Sequence, residues 1–313
     1  MGELDGRVAI VTGAGRGLGR AHALLLAAEG ACVVVNDVDR AVDGSGPPDP
    51  MPGGQRLDDA PGQAVVSERR RSADRVVEEI RAAGGKAIAS TVDVADWSAG
   101  EQLVAEAVDT FGDLHVVVNN AGVLRDRALV NMSEEDFDVV LDVDLKGHVV
   151  PTRFAAAYWR SQVKAGRTVH ASVVNTVSTS GLVGNPGQSH YGAAKAGVAA
   201  FTLICAQELA HYGVRVNAIS PAARTRMTDT SPGLAKLFAP PGEPGMFDRW
   251  DPANVSPLVV YLASKRCEVT GRVLAVQGGT IQLFEPWTLG ATVETAGRWS
   301  IDEIAEVLPG LAG

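Results

Sequence analysis

The sequence predicts an α/β fold in which helices cover both faces of one doubly wound parallel sheet. Two observations predict it. Short β-branched runs recur at Val8–Thr12, Cys32–Asn36, Ala87–Val92, Val116–Asn119, Ser172–Thr176, Val214–Ile219 and Val273–Gln277, and they are largely apolar along their length rather than alternating. Strands of that composition are buried on both faces, as in a parallel sheet. Between them lie helical patterns at Gly17–Glu29, Ala73–Ala83, Ser98–Phe111, Glu134–Tyr158, Tyr191–His211 and Ser256–Ser264, which supply the crossovers. Ligands of such sheets bind beyond the carboxyl ends of the strands.

By length alone 313 residues suggest about two domains, but α/β folds use roughly 250 residues as one. We expect a single domain, 1–313, with additions. Residues 41–71, which include GSGPPDPMPGG, carry too much Gly, Pro and Asp for core and read as an insertion after the second strand. Residues 228–252, with SPGL, APPGEPG and DP, read as a flap between the sixth strand and the next helix. A tail from about Leu283 carries Trp287 and Trp299, ends in a weak helix at Ile301–Leu308, and is assigned a packing role.

Composition excludes several function classes. A net charge of -9 and 5% aromatic residues leave neither the cationic surface nor the stacking platforms of a nucleic-acid binder. Arg69–Arg71, flanked by Glu68 and Asp74, reads as a solvated face. Cys32, Cys205 and Cys267 are odd in number and lack a CxxC, so neither a disulfide framework nor a zinc site is indicated. None of the six His falls in an HExxH or HxH pattern, so no metal is expected. The start, Met-Gly-Glu-Leu-Asp-Gly, lacks a signal-peptide pattern, and the apolar stretches Ala23–Ala28 and Ala193–Ala206 are short or interrupted. A cytoplasmic protein without a membrane segment is the expectation.

At the first strand-to-helix turn stands TGAGRGLG, residues 12–19. Position 18 is Leu, so a strict GxGxxG fails, but Gly13, Gly17 and Gly19 keep a loop whose following helix N-terminus can hold a pyrophosphate. Such a loop alone can be only a tight turn, but its place at the first strand-to-helix turn points to a Rossmann-type dinucleotide site with Gly13, Arg16, Gly17, Leu18 and Gly19 as its loop. Asp37 closes the second strand, where a carboxylate accepts from an adenosine ribose and repels a 2′-phosphate, favouring NAD over NADP. Arg16 is a cation able to accommodate that phosphate in part. Asp93 and Val94 are placed for the adenine, and Asn119, Asn120, Ala121 and Gly122 end the fourth strand at the ligand edge, although Asn-Asn also forms turns.

Tyr191 and Lys195 stand at i and i+4, one face of a helix. A phenol has a pKa of about 10, and a neighbouring ammonium is expected to lower it, giving a base for an alcohol proton. Ser178 follows the fifth strand, where its hydroxyl can bond the reacting oxygen. His190 precedes the tyrosine and reads as a bystander.

TGAGRGLG, NNAG, the Ser178-to-Tyr191 spacing, YGAAK and VNAISP, in that order, resemble the short-chain dehydrogenase/reductase family over nearly the whole chain. The resemblance implies that Tyr191 is the acid/base, Lys195 its partner and Ser178 the group orienting the substrate oxygen, with Tyr191, Lys195 and Pro221 also beside the cofactor. Two positions depart from the family. Val143-Asp144-Leu145-Lys146-Gly147 has Asp144 where an Asn is usual, which puts the relay assigned to that amide in question, and Pro221-Ala222 stands where Pro-Gly is more common.

AGVLRDRALVNMSEEDF, AAYWR, GNPGQSHYGAAKAG and PAARTRMT are most similar to the dehydrogenase part of multifunctional β-oxidation enzymes. That branch implies NAD-dependent oxidation of (3R)-hydroxyacyl-CoA thioesters, with hydroxysteroids or 3-oxoacyl reduction as alternatives. Leu234, Leu237, Phe238, Met246, Phe247 and Trp250 of the flap would cover an apolar chain. A non-catalytic NAD sensor would lose the tyrosine, and a nucleotide-sugar epimerase or dehydratase would need a larger C-terminal domain. The stretch Ala193–Ala206 is apolar nearly all round, so a homo-oligomer, the family's tetramer, is expected with the Glu134–Tyr158 helix sharing the interface.

Overall fold

The structure is a computed structural model that describes residues 2–45, 71–229, 232–243, 245–285 and 287–311. Most of the 41–71 insertion, with Arg69 and Arg70, lies outside the described residues. The chain forms two compact units, Met1–Leu283 and Phe284–Gly313.

Eight strands appear in chain order: β1 (Val8–Thr12), β2 (Cys32–Asn36), β3 (Lys86–Ser90), β4 (Val116–Asn119), β5 (Ala171–Thr176), β6 (Val214–Pro221), β7 (Val273–Gln277) and β8 (Thr280–Phe284). The helices are α1 (Gly17–Ala28), α2 (Ser72–Ala82), α3 (Gly100–Phe111), α4 (Glu134–Leu141), α5 (Gly147–Lys164), α6 (Thr179–Leu182), α7 (Ser189–Leu209), α8 (Arg226–Asp229), α9 (Pro232–Leu237), α10 (Ser256–Ala263) and α11 (Ile301–Leu311). The sheet order is β3-β2-β1-β4-β5-β6-β7-β8, and every pair from β3 through β7 is parallel. Chain direction along the sheet reverses between β1 and β4, so a crevice opens beyond their carboxyl ends.

Alternation along each strand feeds two cores. Ala9 and Val11 of β1 pack with Val33, Val35, Leu26, Ile80 and Leu262 under α1, α2 and α10. Val8 and Ile10 face the other way, onto Leu103, Ala107, Trp159, Cys205 and Leu209 of α3, α5 and α7. Each large side chain buried in this way contributes about 2 kcal/mol of apolar transfer. Trp159 satisfies its one polar atom by donating Nε1–H to the Leu114 carbonyl at 2.8 Å.

Four features differ from the sequence reading. The pattern Glu134–Tyr158 is not one helix: a π-helical turn, Asp142–Lys146, separates α4 from α5. The wide turn swings Asp144 inward, where it is fully buried. Strand β3 begins at Lys86, and β8 was not anticipated because it is exposed along most of its length and so lacks the buried-strand signature. The helix carrying Tyr191, followed as far as Tyr212, is long and apolar enough to cross a bilayer by length and composition, with a mean hydropathy of 1.2. In the fold its Val198, Thr202, Cys205 and Leu209 are instead buried on the sheet.

The second unit contains α11, three residues longer than expected. Ser300 and Glu303 form a reciprocal cap, Ser300 N donating to Glu303 Oε2 at 2.8 Å and Glu303 N to Ser300 Oγ at 3.2 Å.

Candidate active site

The glycine loop is bent by backbone that only glycine takes easily: Gly13 and Gly17 have φ of 62° and 52°. A Cβ on Gly13 would stand 2.8 Å from Ala121 Cα, and one on Gly19 would stand 2.2 Å from the Gly13 carbonyl oxygen. Gly19 thus serves the packing of α1 against the loop and does not line the cavity. Arg16 at the start of α1 makes no side-chain cap, which leaves the first N–H groups of the helix facing the crevice. Thr12 and Asn120 hold the loop from below. Thr12 Oγ1 accepts from the backbone N–H of both Asn120 and Ala121 at 3.0 Å, and Asn120 Nδ2 donates to the carbonyls of Thr12 at 3.0 Å and Gly13 at 3.2 Å. Asn120 is therefore a clamp, and Thr12 is a supporting residue the sequence reading passed over although it begins the motif.

At the end of β2, Asp37 accepts from Gly15 N at 2.9 Å through Oδ2 and from Asp39 N at 2.8 Å through Oδ1. Arg16 is committed elsewhere: its Nη2 lies 3.0 Å from Asp39 Oδ1 in a largely shielded pair. Among the described residues Arg16 and Arg40 are the cations that line this end of the cavity, and Arg16 is already paired. Asp93 pairs with Arg40 at 2.8 Å, and Val94 lies beside it along the same wall.

The chemical end is built where β4, β5, the π turn and α7 converge. Lys195 Nζ donates to the Thr176 carbonyl at 3.0 Å and lies 3.0 Å from Asp144 Oδ1, with both side chains buried. Asp144 Oδ2 in turn accepts from Val123 N at 3.1 Å, tying the 119–123 segment to the π turn. The Lys195 ammonium stands 5.7 Å from the Tyr191 ring centre, as helical spacing predicts. Ser178 caps α6 by accepting from Ser180 N at 3.2 Å, and a Cβ on Gly181 would clash with the backbone of α7, so α6 is pressed against the tyrosine helix.

One electrostatic expectation is corrected. The Tyr191 phenol is raised, not lowered, from its ordinary value; burial is the main cause, the Asp144 carboxylate adds to it, and a hydrogen bond from Ser178 pulls the other way. The ammonium does not offset that burial, because Lys195 is paired with Asp144, which burial pushes toward the protonated form against the pull of the lysine. His190 is buried beside the tyrosine; His148, one turn after Asp144, is buried as well and held neutral by burial. Neither imidazole was singled out for the site, though an apolar helix face carrying Asp at i and His at i+4 is a readable signal.

Gly13, Arg16, Gly17, Leu18, Asp37, Asp93, Val94, Asn120, Ala121, Gly122, Asp144, Ser178, Tyr191, Lys195 and Pro221 line one cavity of about 420 Å³. Asn119 does not; it braces the interior, donating to Thr152 Oγ1 and Asn175 Oδ1 at 2.8 Å each. Of the flap's apolar side chains, Phe238 lines the cavity and stacks 4.4 Å from Trp250, whereas Leu237, Met246 and Phe247 are exposed. The Leu234 side chain lies outside the described residues. The arrangement suits a dinucleotide: glycines that admit a pyrophosphate, a helix N-terminus, a carboxylate at the ribose end, and a phenol, an ammonium and a hydroxyl at the far end.

Residues 55–280 match the family model described as Enoyl-(Acyl carrier protein) reductase. Hydroxyacyl-CoA dehydrogenase ChsB1 of Mycobacterium tuberculosis is 44% identical over 293 residues, covering 91% of this chain and 81% of that protein. Peroxisomal multifunctional enzyme type 2 of Mus musculus is 39% identical over 93% of this chain, which spans 34% of that longer protein. A crystal structure of a short chain dehydrogenase from Mycobacterium avium superposes with a TM-score of 0.82 at 46% identity, covering 99% of this chain and 96% of the other. The chain belongs to the short-chain dehydrogenase/reductase family, oxidoreductases that act on CH–OH groups with a nicotinamide cofactor.

Proposed function

We propose that this protein interconverts a (3R)-hydroxyacyl-CoA and its 3-oxoacyl-CoA with NAD as the cofactor. The observation that carries the reading is the convergence of Ser178, Tyr191 and Lys195 on the cavity that the glycine loop and Asp37 also line. The likeness to hydroxyacyl-CoA dehydrogenase ChsB1 supports the acyl-CoA assignment. Gly13, Gly17, the α1 N-terminus, Asp37 and Asn120–Gly122 would hold the dinucleotide, whose nicotinamide supplies the hydride acceptor. NAD is favoured because Asp37 stands at the ribose end while Arg16 is paired with Asp39.

The chain's own groups handle the proton. Ser178 donates a hydrogen bond to the substrate oxygen and fixes its position, and Tyr191 Oη takes the carbinol proton in oxidation or returns it in reduction. Lys195, held by Asp144 and the Thr176 carbonyl, stands 5.7 Å from the phenol ring with its charge shared with Asp144. Phe238, Val123, Val143 and Met227 give the substrate end of the cavity apolar walls, which favours an acyl chain over a small polar alcohol. A homotetramer is part of the proposal: Phe137 of α4 and Ile204 of α7 are both exposed apolar side chains.

Steady-state assays with NAD and NADP against CoA thioesters, steroid alcohols and short polar alcohols test the reading. We expect turnover of the (3R)-hydroxyacyl-CoA with NAD. Turnover confined to short polar alcohols would remove the acyl-CoA assignment.

A further inference from the structure

Opposite the active site, at the amino ends of β1, β4, β5 and β6, two arginines are drawn into the protein without an acid to meet them. Arg7, 2% exposed, donates through Nη2 to the His115 carbonyl at 3.3 Å, while its Nε and Nη1 reach no acceptor. Arg215 donates through Nη2 to the Ser264 carbonyl at 2.7 Å, and its buried Nε is likewise without an acceptor. The fully buried Ser264 hydroxyl, on the residue whose carbonyl Arg215 meets, is a further unmatched polar group. The two guanidiniums are close enough that the charge of Arg215, after burial, depresses Arg7. Among the described residues neither has a carboxylate at ion-pair distance, and Asp113 faces His115 at 3.5 Å.

An uncompensated buried cation is costly, and two of like sign beside one another are costlier still. Backbone carbonyls answer only one N–H of each fork. The unanswered donors sit on three guanidinium nitrogens and one hydroxyl, all shielded from solvent, which is a donor set for a compact anion. We propose that Arg7 and Arg215, with Ser264, form a structural site for a halide ion of chloride size, which offsets their mutual repulsion and fastens the amino end of β1 to that of β6. The site is separate from the dehydrogenase chemistry and does not depend on the substrate assigned above.

Two measurements on the full-length protein test it together. The first is the Tm in sodium chloride and in sodium gluconate at equal ionic strength, for the wild type and for Arg7→Met. We expect the wild type to melt about 3 °C higher in chloride. Arg7→Met should lose that difference and keep wild-type turnover, since Met removes the surplus charge without emptying the space. The second is the anomalous difference density of crystals grown in sodium bromide, which should peak between Arg7 Nε and Arg215 Nε. An equal response of both proteins to chloride, or no bromide peak at that place, overturns the proposal, as does a peak without the Tm difference, which would mean binding at crystal concentration only.

Discussion

Lys195 and Asp144 form an ion pair at 3.0 Å in the interior, and Val123 N and the Thr176 carbonyl fix its two ends. An amide at position 144 could accept from Val123 but would carry no charge for Lys195. We therefore expect Asp144→Asn to release the ammonium toward the phenol, lowering the Tyr191 pKa and moving the alkaline limb of the oxidation pH profile to lower pH. The variant also leaves a buried lysine unpaired, at a cost on the order of 3 kcal/mol seen in denaturant unfolding. An unmoved pH limb in a folded variant would show that Asp144 does not set the phenol.

The pH dependence of the wild type follows with its sign. Because burial and Asp144 raise Tyr191, the phenol is the main form at neutral pH, ready to give a proton and not to take one. Oxidation should accelerate as pH rises through the alkaline range, and reduction should fall over the same range. Initial rates in both directions from pH 6 to pH 10, at saturating cofactor, check this.

Cofactor choice rests on two carboxylates with different tasks. Asp37→Ala should narrow the preference for NAD by removing the anion at the ribose end. Asp39→Asn should raise kcat/KM with NADP about tenfold, roughly 1.4 kcal/mol, because Arg16 is then free to meet a 2′-phosphate. Both are read from kcat/KM ratios for the two cofactors. No change on releasing Arg16 would place the discrimination elsewhere.

Gly13 is held at a positive φ with Ala121 directly against it. Gly13→Ala should destabilise the protein by about 1–2 kcal/mol and weaken dinucleotide binding at least tenfold, measured by thermal unfolding and by quenching of tryptophan fluorescence.

Much of this was legible from the residues. Unbroken runs such as Val33–Val35 mark strands covered on both sides, and the crevice lies at the β1/β4 switch where the glycine loop and Asn120 meet. The π turn at Asp142–Lys146 was not legible, because its residues continue a helical pattern and only packing against Lys195 and Val123 reveals why the helix widens. The direction of the Tyr191 shift was missed for the same reason. Sequence spacing places Lys195 near the phenol but does not show that a third group, Asp144, claims its charge.

The claim that proton transfer passes through the Tyr191 hydroxyl is tested most directly by Tyr191→Phe, assayed for turnover and for NAD affinity side by side. The account predicts that kcat falls at least a thousandfold, roughly 4 kcal/mol of barrier, while the Kd for NAD stays within about twofold of wild type. Turnover at the wild-type rate in the phenylalanine variant would contradict it.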